Sequence, residues 1–177
     1  MKIQTLSSIR RTALAASIAL GVLGSHAAPA SAAIVGERII VSSNFPMALD
    51  VSGASTDKFA KVIQWWPTGS TNQTWAWDHV SGAGTNATYR LQNLNSRMCL
   101  TTDGVAGHQL YQYPCQPNNE SQMWSTPLDP LRPNLNSDAK ISNKMSGLCV
   151  DVNGGSHAPG TAIITWYCGS AWNQYWV

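Results

Sequence analysis

Gln73-Thr74-Trp75, Gln122-Met123-Trp124 and Gln174-Tyr175-Trp176 place one Gln-x-Trp triplet three times along a 177-residue chain, 49 and 52 residues apart. A second signal keeps the same period: Met47-Ala48-Leu49-Asp50-Val51-Ser52-Gly53, Met98-Cys99-Leu100-Thr101-Thr102-Asp103-Gly104 and Leu148-Cys149-Val150-Asp151-Val152-Asn153-Gly154 are offset by 51 and 50 residues. Shortly before each of these, Arg38-Ile39, Arg90-Leu91 and Lys140-Ile141 open a short strand-like stretch. Three signals in one order and at one period predict a repeated architecture. A unit of about 45 residues cannot bury its apolar face alone, so the three must pack around a shared core.

The repeats are built from short runs of Ile, Val, Trp, Tyr and Thr broken by Gly, Asn, Ser and Pro, as in Val62-Ile63-Gln64-Trp65-Trp66 before Pro67-Thr68-Gly69-Ser70. That pattern predicts an all-β fold. Turn-forming compositions at 81–86 and 127–134 join the repeats. Charged residues make up only 11% of the chain, against roughly 25% in an average soluble protein. A long charged helix is therefore excluded, as is a nucleic-acid binder that works through a basic face.

At the N-terminus, Lys2, Arg10 and Arg11 precede an apolar run from Ala13 to Gly24 and the small residues Ala30-Ser31-Ala32. This is the pattern of a cleavable signal peptide over 1–32. The apolar run is shorter than the roughly 20 residues of a membrane span. Cleavage would turn the full chain's net charge of +2 slightly negative, leaving 33–177 as a secreted, extracellular domain. Export makes disulfides the default for the four cysteines, Cys99, Cys115, Cys149 and Cys168. Zinc is disfavoured because no CxxC pair is present. His79, His108 and His157 have neither metal-ligand nor catalytic spacing, so no metal or cofactor is expected.

The thrice-repeated Gln-x-Trp, each preceded by a Cys-Leu-Asp-Val-like turn, resembles the ricin B-type lectin family, which also includes the family 13 carbohydrate-binding modules. The resemblance spans about Ile34 to Val177. It implies a β-trefoil of three lobes of four strands (about 34–80, 86–127 and 135–177), with one potential sugar pocket per lobe. The lobe pattern agrees with bridges Cys99–Cys115 and Cys149–Cys168; the other two connectivities would cross lobes. Lobe one has Ala48 and Thr68 at the matching positions and so lacks a bridge.

A pyranose offers hydroxyls to carboxylate or amide partners and a C–H face to an aromatic ring. By resemblance, lobe one supplies Asp50, Gln64, Trp66, Asn72 and Gln73: the hydroxyl-accepting aspartate, a pocket-lining residue, the stacking aromatic, the hydroxyl-binding asparagine and the glutamine that supports the aspartate. Lobe three supplies Asp151, Ile164, Trp166, Asn173 and Gln174 in the same roles, and Trp172 beside Asn173 is a candidate extension. Lobe two keeps Tyr113 but has Thr101 and Ser121 where the aspartate and asparagine stand, so it is expected to be silent. Trp75, Trp124 and Trp176 are expected in the core. The alternative for Asp50 and Asp151 is that they merely brace the turns before Gly53 and Gly154.

A glycoside hydrolase would need two carboxylates roughly 5 to 10 Å apart in one cleft. Here the two recurring aspartates fall in different lobes, and no nucleophile elbow, HExxH or Cys/His pair occurs. The sequence therefore predicts a non-catalytic secreted lectin for galactose-type or xylan-type glycans, with secreted or cell-surface glycoproteins as targets. The alternative is a degenerate trefoil acting as a protein-interaction, toxin-accessory or enzyme-inhibitor module.

Overall fold

The computed structural model describes residues 34–39, 46–127 and 139–176, with backbone only for the first of these segments. The expected leader over 1–32 lies outside them. Among the described residues the secondary structure is strands and short 3-10 turns, with no α-helix.

Eleven strands among the described residues follow the repeat. Lobe one contributes β1 (Ile34–Ile39), β2 (Ala48–Val51), β3 (Val62–Trp65) and β4 (Thr74–Ser81). Lobe two contributes β5 (Thr88–Asn93), β6 (Cys99–Thr101), β7 (Tyr111–Tyr113) and β8 (Trp124–Ser125). Lobe three contributes β9 (Ser142–Asn143), β10 (Cys149–Val152) and β11 (Ile163–Trp166), and a single bridge between Ala139 and Trp176 stands where the other lobes have a fourth strand. Strands β1, β4, β5, β8 and β9 pair edge to edge, while β2–β3, β6–β7 and β10–β11 form one antiparallel hairpin per lobe. Bridges Lys61↔Tyr111, Gln109↔Ile164 and Ile63↔Ala162 tie hairpin one to two, two to three and three to one.

The core repeats with the sequence. Trp75, Trp124 and Trp176 are fully buried, as are Leu49, Leu100 and Val150 from the hairpins, Val62 and Ile163 from the facing strands and Leu110 immediately before β7. Each such aliphatic side chain contributes about 1.5–3 kcal/mol by leaving water. Every motif indole N–H donates to the carbonyl of its own lobe's core residue, Leu49, Leu100 or Val150, at 2.9, 3.1 and 3.1 Å. A buried donor is thus satisfied while the ring packs, and this is why the position demands Trp.

The motif glutamine is a second threefold brace. Gln73 accepts from the Thr68 N–H and donates to Trp66 O, Gln122 accepts from Gln116 N–H and donates to Pro114 O, and Gln174 accepts from Gly169 N–H and donates to Tyr167 O. After β2 and β10, Gly53 and Gly154 take φ +64°, where a side chain would be strained although nothing crowds the site.

Both intralobe disulfides are present, Cys99–Cys115 and Cys149–Cys168. The lobe-one counterpart of Cys168 is Pro67 rather than the expected Thr68. Ala48 pairs with Trp65 as Cys149 pairs with Trp166, so a constant offset of 101 residues relates the two lobes. Loops of 16 and 19 residues closed by a bridge stabilise by about 3 kcal/mol each. Native-state hydrogen exchange should therefore find β2 and β3 opening before β6 and β10; the reverse order would contradict this account.

Candidate functional site

Each of lobes one and three carries a cleft beside its hairpin, of about 420 and 560 Å³ respectively. In lobe three the cleft is lined by Asp151, Ile164, Trp166, Asn173 and Gln174, which brings all five expected residues together. Tyr167 and Gly107 join them. In lobe one it brings together Asp50, Asn72 and Gln73, but with Ile63 and Trp65 instead of the expected Gln64 and Trp66.

The strand register explains this correction. Asp50 pairs with Ile63 and Asp151 with Ile164, so the cleft floor of lobe one is Ile63 and its aromatic wall is Trp65, 41% exposed, matching Trp166 at 46%. Trp66 is the counterpart of Tyr167; it is 47% exposed but is not among the cleft-lining side chains. Gln64 turns to the opposite face of β3, where it is buried and donates to Ser156 O and Ala158 O at 2.8 Å in the turn of lobe three. Gln112 does the same across lobes two and one, donating to Ser55 O and Asp57 O, and Thr165 donates to Val105 O across lobes three and two. Gln64 is therefore an interlobe staple rather than a pocket residue.

The polar ends of the clefts are held rigidly. Asn72 Nδ2 donates to Asp50 Oδ2 at 3.0 Å and to Val51 O at 3.3 Å, and Gln73 Nε2 donates to the same carboxylate oxygen at 2.8 Å. In lobe three, Asn173 donates to Asp151 Oδ1 and Val152 O, and Gln174 to Asp151 Oδ2 at 2.7 Å. Both hydrogens of each asparagine amide are thus committed, so Asn72 and Asn173 can offer a ligand only their Oδ1 as acceptor. The glutamines are engaged at both ends and serve as supports. What remains open toward the clefts is a set of acceptors beside an aromatic wall, which suits a ligand rich in hydroxyl donors with an apolar face.

Burial pushes the Asp50 and Asp151 carboxyls above the usual 3.8, and the Gln and Asn donors pull them back only in part. A raised folded-state value means that this contribution to folding is fully present below the unfolded value and is lost as pH rises through the raised one. Acid therefore neutralises the acceptors without destabilising the fold through these two groups. Binding that uses the ionised carboxylates should be lost with a midpoint above pH 3.8 while the fold persists, as measured by glycan binding and tryptophan fluorescence across a pH series; undiminished binding below pH 3.8 would exclude their role.

Lobe two assembles differently. Thr101 accepts from Gln122 Nε2 at 3.1 Å and donates to Cys99 O, and the Ser121 hydroxyl donates to Asn119, so both hydroxyls are engaged and no carboxylate faces the hairpin from these positions. Trp172 stacks edge-on against His157, with ring centroids 4.6 Å apart, and does not line the lobe-three cleft. Trp65, Ile63, Gly107 and Tyr167 are among the lining residues that the sequence did not predict. The first two were signalled by the unbroken 101-residue offset from Asp50 to Asp151 and from Asn72 to Asn173. Gly107 comes from another lobe and carries no sequence signal.

Three lobes, one hairpin each, around a shared core define the fold as a β-trefoil. The family model of the ricin-type beta-trefoil lectin domain-like proteins matches residues 71–166 and 131–177, more than half of the chain, and the chain belongs to that family. Among solved structures it is similar to ThreeFoil, a designed 3-fold symmetric protein, at 26% identity and TM-score 0.66, covering 80% of this chain and 96% of that one. It is also similar to an exo-beta-1,3-galactanase from Clostridium thermocellum, at 27% identity and TM-score 0.68, where 80% of this chain matches 29% of the enzyme. A ricin B-like lectin from Macrolepiota procera in complex with lactose shares the fold, at 20% identity and TM-score 0.64, covering 82% and 95%. No curated protein matches the sequence.

Proposed function

We propose that this protein is a secreted, non-catalytic lectin that binds galactose-type or xylan-type glycans through the clefts of lobes one and three. The observation that carries the reading is the duplicated constellation of a braced aspartate, an asparagine with only its carbonyl oxygen free and an exposed indole, built twice on one 101-residue offset. Asp50 with Trp65 and Asp151 with Trp166 would hold sugar hydroxyls and the C–H face respectively. The family membership and the lactose complex of the Macrolepiota lectin support a glycan as ligand. The galactanase likeness, covering less than a third of that chain, supports a module that can accompany an enzyme without being one. Secretion is inferred from the basic-apolar-small pattern over 1–32.

A single shallow site of this kind binds at about millimolar strength, near −4 kcal/mol, so two sites act chiefly through avidity on polymeric or clustered glycans. The test is a glycan array of the disulfide-intact chain carrying galactosides, N-acetylgalactosaminides and xylan fragments. Binding that free sugar competes away is expected. A blank array from folded protein would overturn the reading and leave the protein-interaction role in its place.

A further inference from the structure

One position recurs with the threefold symmetry yet changes character. Phe59, Gly107 and Gly160 each donate a backbone hydrogen bond to the aromatic strand of the next lobe, to Gln112 O, Thr165 O and Gln64 O at 2.8, 2.7 and 2.8 Å. All three have positive φ, +67°, +87° and +83°. Glycine adopts that conformation freely, whereas a bulky aromatic residue there is strained.

The direction of a side chain at this position is also fixed. A methyl group added at Gly107 would stand 3.2 Å from Cζ3 of Trp166, and one at Gly160 would stand 3.7 Å from Cζ3 of Trp65. Gly107 itself lines the lobe-three cleft. A side chain at this position therefore points at the aromatic wall of the neighbouring lobe's pocket. In lobe two the wall is Tyr113, paired with Cys99 as Trp166 is with Cys149, and the floor is Tyr111, paired with Thr101 as Ile164 is with Asp151. The Phe59 ring touches both, at centroid distances of 4.9 Å to Tyr113 and 5.5 Å to Tyr111.

We propose that Phe59 is a built-in plug that occupies the pocket of lobe two, and that the residue at this threefold position determines which lobes admit a sugar. Glycine at 107 and 160 leaves the indoles of Trp166 and Trp65 open, whereas phenylalanine at 59 closes the tyrosine wall of lobe two. The inference deepens the two-site lectin reading and rests on it for its ligand. It also separates two changes in lobe two: loss of the polar acceptors at Thr101 and Ser121, and occlusion by a residue of lobe one. Restoring the acceptors alone should not open the pocket.

The experiment is an NMR titration of the full disulfide-intact chain with lactose and, separately, xylotriose. It follows the indole N–H signals of Trp65 and Trp166 and the amide of Tyr113. The parent and Thr101→Asp/Ser121→Asn should respond at Trp65 and Trp166 only, and Phe59→Gly/Thr101→Asp/Ser121→Asn should respond at Tyr113 as well. A Tyr113 response with Phe59 still in place overturns the plug, and so does a silent Tyr113 in the triple variant whose two indoles still shift. If neither sugar moves either indole, the two-site reading has failed. The plug is then decided without sugar, by hydroxyl-radical footprinting of Phe59→Gly. Oxidation of Tyr113 should rise severalfold with Tyr167 unchanged, and an unchanged Tyr113 overturns the proposal.

Discussion

Trp65→Ala combined with Trp166→Ala should abolish measurable glycan binding by the folded chain, while Trp66→Ala should leave it within about twofold, the scale of an ordinary surface substitution. The two indoles are the exposed walls of the two clefts, and Trp66 does not line its cleft despite equal exposure. Truncating an aromatic anchor at the centre of a contact costs about 2 kcal/mol or more, a loss of roughly thirtyfold. Starting from about millimolar single-site affinity, that loss moves each site beyond detection, and avidity disappears with the sites. Asp50→Asn with Asp151→Asn should weaken binding comparably, because a hydrogen bond to a charged acceptor contributes about 1.5–3 kcal/mol. The result that would sink the assignment is full glycan binding by the folded Trp65/Trp166 double variant. Equal losses from Trp66→Ala would instead restore the residue expected from the sequence.

Reducing both disulfides should lower the melting temperature of the intact chain by about 15–20 °C. Each bridge removes loop entropy from the unfolded chain worth about 3 kcal/mol. Together they match much of the roughly 5–15 kcal/mol total of a small domain. Lobe one, with Ala48 and Pro67 in place of the pair, gains no such term, so reduction should also erase the difference in hydrogen exchange between its hairpin and those of lobes two and three. A thermal melt with and without dithiothreitol, followed by tryptophan fluorescence, reads this directly. A change under about 5 °C would mean that the core tryptophans hold the fold with little help from the cross-links.

The lobes were legible because each signal is local and repeated. A Gln-x-Trp places a buried indole and its brace within three residues, and the preceding Leu or Val supplies the carbonyl that the indole meets. The lobe-three cleft was legible for the same reason, since all five expected residues line it. In lobe one the error was a single step of register. Trp65 and Trp66 are both tryptophan, so composition could not choose between them, and a one-residue slip on a strand exchanges the two faces. That slip put Gln64 in the place of Ile63 and Thr68 in the place of Pro67.

From the sequence alone came the threefold repeat, the all-β lobes, the core tryptophans, the two aspartates and the loss of acceptors in lobe two. These depend on residue identity at a fixed period. The choice of Trp65 over Trp66 came from the pairing of Ala48 with Trp65 across a hairpin. The interlobe staples from Gln64, Gln112 and Thr165, the place of Gly107 in the third cleft and the contact of Phe59 with Tyr113 came only from the packed trefoil. Each of these joins residues more than forty positions apart in the chain, and no local pattern carries them, because only the association of three lobes brings those side chains within reach.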